Sequence, residues 1–412
     1  MKKFKVATLG CRTNQYESQA YMDLLRKIGY SEAKDGEEVD LCIVNTCTVT
    51  EGADRSSRHQ IRLMLKEHPT AKVAVTGCMA ESAPDIIRAL GSRVEVVPNL
   101  QKESLLQQVL PEEKEIGPFR IEQFDHHTRA FVKVQDGCNS FCTYCIIPYV
   151  RGRSRSRQID EVVDEVKGLI SSGYKEVVIT GINVGDFDGG GRLADLVRAV
   201  DSVEGLKRLR ISSIDPDEID EALTEAVLCG KTTCPSMHIV LQSGSNVVLK
   251  RMNRKYTKQQ FLEAVSRLKE RCPDFTVTTD VIVGFPGETE ADFEETVRIV
   301  EEIQFAKVHI FPYSARKRTR AALYPNQVPE EVIQKRKQHL ARVAEQSAFR
   351  LRNQFLGRTM SLLLEEGEVP SGHTANFLRV TLPKESGKAG DLLNVQLLEN
   401  TPLGFVGLTD LA

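Results

Sequence analysis

Between residues 1 and 80 the chain three times runs a short apolar segment into a cysteine: VATLGC (6–11), CIVNTC (42–47) and VAVTGC (73–78). Each segment has the length and β-branched content of a buried strand, and each leads into polar residues that open a helical pattern. Strands separated by helices commit a chain to a parallel sheet with helices on its faces. In such a sheet, ligands bind at the carboxyl ends of the strands. Cys11, Cys47 and Cys78 all stand there, so three loops can bring three thiols to one point.

After a charged, mixed stretch at 111–128, which reads as a linker, the alternation resumes. Six further strands are expected: AFVKVQ (130–135), EVVITG (176–181), LKRLRISS (206–213), MHIVLQ (237–242), TVTTDVIVG (276–284) and AKVHIFPY (306–313). Helical patterns fill most of the intervals, and six βα units in succession imply an open or partial barrel over 129–345. A helix at 330–355 leads out of it. From 346 to 412 short strands alternate with Gly, Asn and Pro turns, the pattern of a small all-β barrel. The expected fold class is therefore α/β. It comprises an N-terminal parallel α/β sheet domain (1–110), a central partial (β/α)6 barrel and a small C-terminal all-β barrel.

No run approaches the roughly 20 apolar residues of a membrane helix. The opening MKKFKVATLGC lacks the apolar core of a secretion signal. A cytoplasmic setting without a membrane partner is expected. There, ten cysteines do not make a disulfide framework; they are core residues, metal ligands or reactive thiols. Cys42, Cys229, Cys234 and Cys272 read as structural thiols. The net charge is −2, yet basic residues gather in RGRSRSR (151–157), KRMNRK (250–255), RKRTR (316–320) and QKRKQHLAR (334–342). Such runs favour a polyanionic partner.

The densest cysteine cluster is DGCNSFCTYC (136–145). Cys138, Cys142 and Cys145 follow the first barrel strand, at the rim where such barrels carry their chemistry. Iron–sulfur clusters are normally held by four thiolates, so three leave one iron open to chelate a small ligand. A zinc site completed by His126 or His127 is the alternative. The C-x3-C-x2-C spacing, with Tyr144 before the last cysteine, resembles the radical S-adenosylmethionine enzymes. There the open iron holds the amino and carboxylate groups of the cofactor, and its cleavage gives a 5′-deoxyadenosyl radical.

The wider set of motifs resembles the methylthiotransferase family over nearly the whole chain. TLGCRTNQYES (8–18), VNTCTVT (44–50) and VTGCMAE (75–81) are similar to the three cysteine blocks of its N-terminal domain. VQDGCNSFCTYCIIPYVRGRSRSR (134–157) is similar to its radical block. LQSGS (241–245), VLKRMNRKY (248–256), DVIVGFPGETE (280–290) and FPYS (311–314) follow in the expected order, and the tail resembles a TRAM domain, an RNA-binding β-barrel. Two departures stand out: ARKRTRAALYP (315–325) lacks the glycine usual after YS, and Val240 replaces a common proline. Of three branches, the one acting on N6-threonylcarbamoyladenosine (t6A) at position 37 of tRNA is the best match. The others act on isopentenyladenosine in tRNA and on an aspartate of a ribosomal protein. A non-enzymatic iron–sulfur RNA-binding protein is the reading outside the family.

The resemblance implies two [4Fe–4S] clusters, one on Cys138, Cys142 and Cys145 and one on Cys11, Cys47 and Cys78, the latter carrying the sulfur that is methylated and inserted. It implies S-adenosyl-L-methionine as cofactor, tRNA carrying t6A as partner, and an electron donor such as flavodoxin or ferredoxin. Cofactor contacts are expected at Tyr144, Gly181, Asn183, Ser213, Gln242 and Asp280, at or near strand ends. Arg151, Arg153, Arg155 and Arg157 are expected to meet phosphate, and Phe377 and Arg379 of the tail to meet RNA.

Overall fold

In the computed structural model, which describes residues 2–113, 115–125 and 127–409, the three segments that run into cysteines are neighbours in one sheet. Its strands are β1 (Lys3–Thr8), β2 (Ser31–Glu32), β3 (Leu41–Thr46), β4 (Lys72–Gly77) and β5 (Val94–Val96), all parallel, in the order β2-β1-β3-β4-β5. The central strand β3 is buried along its whole length, as a strand covered on both faces must be. Leu41 and Ile43 enter one apolar layer with Phe4, Leu24 and Leu25, while Cys42 and Val44 enter the other with Ile61, Met64 and Val75. Burial in that layer pushes the Cys42 thiol up to about 12, which fits a structural thiol. Helix α1 (Arg12–Lys27) follows β1, α2 (Glu51–Glu67) follows β3, and α3 (Cys78–Ser82) starts directly after β4. Thr50 caps α2, its hydroxyl accepting from the Ala53 N–H at 3.1 Å.

The central region holds the six expected parallel strands: β6 (Arg129–Lys133), β9 (Glu176–Thr180), β10 (Arg208–Ile211), β11 (Ser236–His238), β12 (Thr276–Val283) and β13 (Lys307–Pro312). A short antiparallel ribbon, β7 (Gln135–Asp136) with β8 (Arg155–Ser156), brackets the cysteine loop. The barrel is two three-stranded halves, β6-β9-β10 and β11-β12-β13, linked by single bridges at Leu209–Thr233 and Ile214–Ile239. Among the described residues no strand ladder joins β13 to β6, so the barrel is partial. Helix α1 packs along β6, and its Tyr16 and Ala20 belong to the central apolar core. The stretch 111–128 has no regular structure among its described residues, but it is not slack. Ile121 and Phe124 are buried, and the N–H groups of Glu122 and Gln123 donate to the Asp23 carboxylate at 2.7 and 3.4 Å.

The long helix Glu330–Asn353 leads into a closed barrel of β14 (Thr359–Glu365), β15 (Ser371–Thr374), β16 (Arg379–Thr381), β17 (Leu392–Thr401) and β18 (Gly404–Thr409), ordered β14-β15-β16-β18-β17. Its strands start later than residue 346 because the helix persists to Asn353. Strand β15, Ser-Gly-His-Thr, carries no apolar alternation and is not visible in the sequence. This small barrel docks on the starts of the central strands. Arg208 donates to the His373 and Ser361 carbonyls at 2.9 and 2.6 Å, and Arg210 to the Thr374 and Ala375 carbonyls at 2.9 and 2.8 Å. No described helix is long and apolar enough to cross a membrane.

Candidate functional site

Cys11 is the N-cap of α1, Cys47 follows β3, and Cys78 is the first residue of α3. Because β1, β3 and β4 are adjacent, their ends bring the three thiols to one edge. Gly10, at φ +98°, is what lets the first two approach: a Cβ there would fall 2.9 Å from the Cys47 Cβ and 3.0 Å from its Sγ. Asn14 ties the loops, its amide donating to the Leu9 and Thr46 carbonyls at 2.6 and 3.1 Å. Ser57 clamps Cys47 from both sides, accepting from its N–H at 3.2 Å and donating to its carbonyl at 2.9 Å. Burial raises the Cys47 thiol, and it pushes the Cys78 thiol up to about 12 against the opposing charge of Arg151.

The second trio lies on the loop after β7. Gly137, at φ +76°, admits no side chain, since a Cβ would fall 2.0 Å from the Arg153 carbonyl oxygen. Gln135 pins the loop to the rim of β9: its amide donates to the Gly137 carbonyl at 2.8 Å, and its Oε1 accepts from the N–H groups of Ile182 and Asn183 at 3.0 and 2.9 Å. The KRMNRK run braces the other side. The Thr143 N–H donates to the Met252 carbonyl at 2.9 Å, the Asn253 amide to the Phe141 carbonyl at 3.1 Å, and Arg254 Nη1 to Cys142 Sγ at 3.0 Å. That run is therefore a scaffold for the thiols through Met252, Asn253 and Arg254, while Lys250 and Lys255 stay exposed. Burial raises the Cys138 and Cys145 thiols. His127 packs its ring on Phe124 and Phe131, before β6 and away from the loop that follows it. His126 lies outside the described residues.

The trios share a wall, and a cavity lies beside it. The one-turn helix Ile147–Val150 follows Cys145, and its Ile147 and Val150, with Ile146, pack on Cys78. A cavity of about 160 Å³ has Val49 and Thr50 on one side and Tyr144 and Cys145 on the other, with Gln242, Asp280 and Tyr313 around it. Gln242 is held at φ +60°. Its Oε1 and the Tyr313 hydroxyl are buried without a partner, polar groups that a ligand would satisfy. The atypical run after FPYS straps the two sides together. Arg316 pairs with Asp54 and donates to Thr48 Oγ1 at 2.9 Å, and the Ala321 N–H donates to the Thr143 carbonyl at 2.9 Å.

Of the other expected cofactor contacts, Tyr144, Gln242 and Asp280 border this cavity. Gly181 and Asn183 sit on the rim beside Gln135, and the Asn183 amide donates to Glu218 Oε1 at 2.8 Å. Ser213 is half-buried just past β10. Sequence reasoning missed the chain of charges joining these to the thiols: Cys142 to Arg254, Arg254 to Asp215, and Glu218 beside both Asp215 and Asn183. Burial and then the charge of Asp215 push the Glu218 carboxyl up to about 7. The signal was present in DPDE (215–218), but it reads equally as a cap.

Among the expected RNA contacts Arg151 is corrected, and Arg157 and Phe377 are found engaged within the protein. Arg151 is fully buried and pairs with Glu17 and Asp136 at 3.1 and 2.8 Å. Arg157 pairs with the buried Glu165 at 2.5 Å. Phe377 stacks on His373 at 4.5 Å and lies between the Arg129 and Arg210 guanidiniums inside the interface of the two barrels. Arg151 is thereby closed to a solvent-borne phosphate, while Arg157 and Phe377, both half-buried, are engaged within the protein. Arg153, Arg155 and Arg379 are exposed.

Comparison with known proteins adds to this geometry. Residues 132–300 match the radical SAM superfamily, and residues 3–98 match a family described as uncharacterized protein family UPF0004. The chain is 47% identical, over 98% of its length and 97% of the relative, to a threonylcarbamoyladenosine tRNA methylthiotransferase MtaB of Chlamydia pneumoniae. It is 36% identical, over 95% and 93%, to the protein of that name in Bacillus subtilis. A tRNA-2-methylthio-N(6)-dimethylallyladenosine synthase of Clostridium novyi is 33% identical over 98% and 96%. Among solved structures, the radical S-adenosylmethionine methyltransferase TsrM of Kitasatospora setae aligns with TM-score 0.55 at 14% identity, over 76% of this chain and 75% of that one. That likeness concerns the fold alone.

Proposed function

The chain belongs to the methylthiotransferase family of radical S-adenosylmethionine enzymes, and from that premise we propose that it converts t6A at position 37 of tRNA to its 2-methylthio derivative. Membership brings S-adenosylmethionine and a [4Fe–4S] cluster, for which the Cys138, Cys142 and Cys145 thiols are the donor set. A second [4Fe–4S] cluster on Cys11, Cys47 and Cys78 is our reading of the other trio. The observation that carries the proposal is that the trios are neighbours: the helix after Cys145 packs on Cys78, and Cys145 lines one cavity with Val49 and Thr50, which follow Cys47. When bound, these groups supply one-electron chemistry, sulfur and a methyl group, which an adenine C2–H needs because it is neither acidic nor electrophilic.

The chain's own residues hold and insulate. Arg254, 3.0 Å from Cys142 Sγ, stabilises a thiolate ligand. Asn183, Asp215 and Glu218 form the polar rim for the amino-acid part of the cofactor. Gln242 and Tyr313 offer unpaired polar atoms to whatever enters. Exposed Arg153, Arg155 and Arg379 are the remaining candidates for phosphate contacts. A cytoplasmic setting and a flavodoxin or ferredoxin as electron donor complete the reading. The test is anaerobic turnover with tRNA bearing t6A, read by mass spectrometry of the nucleosides. Methylthiolation of t6A is expected; modification of isopentenyladenosine alone would reject the branch, and clusters without cofactor cleavage would reject the enzyme.

A further inference from the structure

A second space lies deeper in the central barrel, bordered by Arg12, Phe131, His238, Thr278 and His309. Its free volume is about 50 Å³, room for a small acid group and not for a nucleoside. Three arginines reach it, and two of them are neutralised. Arg129 pairs with Glu365 at 3.2 Å, and Arg210 with Glu176 at 2.7 Å. Arg12 is different. Its guanidinium lies 5.4 Å over the Phe131 ring and makes no ion pair among the described residues. Beside it, the His238 and His309 rings lie 5.8 Å apart. His238 Nδ1 is 2.9 Å from Thr278 Oγ1, and its Nε2 is 3.3 Å from Asp280 Oδ1. Asp280 in turn borders the cavity beside Cys145, so the His238–Asp280 pair stands between the two spaces.

Arg12 therefore offers this space a charged donor that no described acid takes up, and a carboxylate is its natural partner. We propose that this inner space binds the carboxylate of the threonyl group of t6A, with Arg12 as its charge partner and His309 as a second donor, and so selects substrates by that charge. The inference rests on the function proposed above and extends it to specificity. The base then sits in the outer cavity, and its acidic arm passes Asp280 into the barrel. A dimethylallyl arm has no charge to pair with Arg12 and forgoes that charge-assisted hydrogen bond. His238, Asp280 and His309 also place one ligand atom each within 4.8 Å of the others, a spacing open to a metal ion. The unpaired positive charge of Arg12 in the same space disfavours a cation.

The test compares two anticodon stem-loops bound by the full chain, one carrying t6A at position 37 and one carrying its uncharged threonine-amide analogue. The wild type should prefer the acid by about 10- to 100-fold, the range of one charge-assisted hydrogen bond. R12M should bring the two affinities within about 3-fold of each other, and R12K should keep part of the preference. The ratio of two ligands on one protein does not depend on the fraction of chains with intact clusters, which matters because Arg12 neighbours Cys11. H309Q, remote in sequence from any cysteine, should narrow the ratio as well. An unchanged ratio in R12M and H309Q overturns the proposal. So does a metal ion beyond the clusters that H309Q alone removes. A wild type that methylthiolates t6A yet accepts the amide equally overturns this inference only, whereas one that never modifies t6A overturns the function on which it rests.

Discussion

Arg151 has no exposed surface and joins three parts of the molecule, pairing with Glu17 of α1 and Asp136 of β7 and standing against Cys78. Lys102 and Lys133 complete the network. Burial alone would raise the Glu17 carboxyl, but Arg151, Lys102 and Lys133 outweigh it and hold it down to about 2. Removing one member of such a network leaves a buried charge uncompensated, so R151M should cost about 3–5 kcal/mol, measured by urea unfolding. The pH dependence follows from the depressed carboxylates. In the wild type their contribution is full above the ordinary carboxylate pKa and is lost as the pH falls towards about 2. In R151M the carboxylates take up protons more readily, so the stability gap between the two proteins should shrink as the pH drops below about 5. A gap that stays constant over that range would reject the network. A second pair of substitutions separates the thiol trios: C142A should abolish 5′-deoxyadenosine formation, while C47A should still cleave S-adenosylmethionine with dithionite yet form no methylthio product. Normal methylthiolation by C47A would make its trio structural. At this scale the placement of the six candidate cysteines after strands could be read directly from the sequence, because apolar runs ending in a turn mark those positions. Arginines could not be read so. RGRSRSR gives four equivalent residues, and only the fold decides that Arg151 and Arg157 turn inward while Arg153 and Arg155 stay exposed.

Among the elements, the segment from Ser314 to Ala321 does work that its composition hides. It reads as a basic loop, yet Arg316 reaches Asp54 and Thr48 beside Cys47, the Ser314 hydroxyl accepts from the Glu51 N–H at 3.3 Å, and the Ala321 N–H holds Thr143 of the radical loop. Both thiol-bearing loops are thus fixed to one strap, and their separation is set by it. R316A should therefore lower methylthiolation by about 10-fold, the scale on which a small misplacement of reacting groups is felt. S-adenosylmethionine cleavage without tRNA should stay within about 2-fold, since none of the groups around Cys142 is touched. Measuring both products in one reaction checks this, and a parallel fall in the two would point to general damage. Strand periodicity made the six central strands legible to within a few residues. The strap, β15 and the bracing by Met252, Asn253 and Arg254 were not, because each depends on backbone carbonyls and partners remote in sequence that carry no local pattern.

For the molecule as a whole, the order of three regions was legible but their docking was not. The C-terminal barrel sits on the starts of the central strands, and Arg208 and Arg210 reach across to its backbone carbonyls. Glu365 pairs with Arg129, and Phe377 enters the space between Arg129 and Arg210. The same barrel packs its Leu364, Leu397 and Phe405 with Leu351 and Phe355 from the end of the long helix. If it were only an appended RNA module, deleting it would leave cofactor cleavage intact. With this interface, deletion of residues 354–412 removes Phe355 and the partners of Leu351, and it opens the buried charges around Glu176 to water. The truncated chain should therefore melt several degrees below the full protein, since about 1 kcal/mol already moves the midpoint of a large domain by 2–4 °C. RNA binding is better tested at an exposed residue outside that interface. R379E should weaken tRNA binding, lower its dependence on salt by about one unit of slope, and leave the melting midpoint unchanged. A truncated chain that melts with the full protein would show that the interface contributes no stability, and an R379E variant with the wild-type salt slope would place the tRNA on another face.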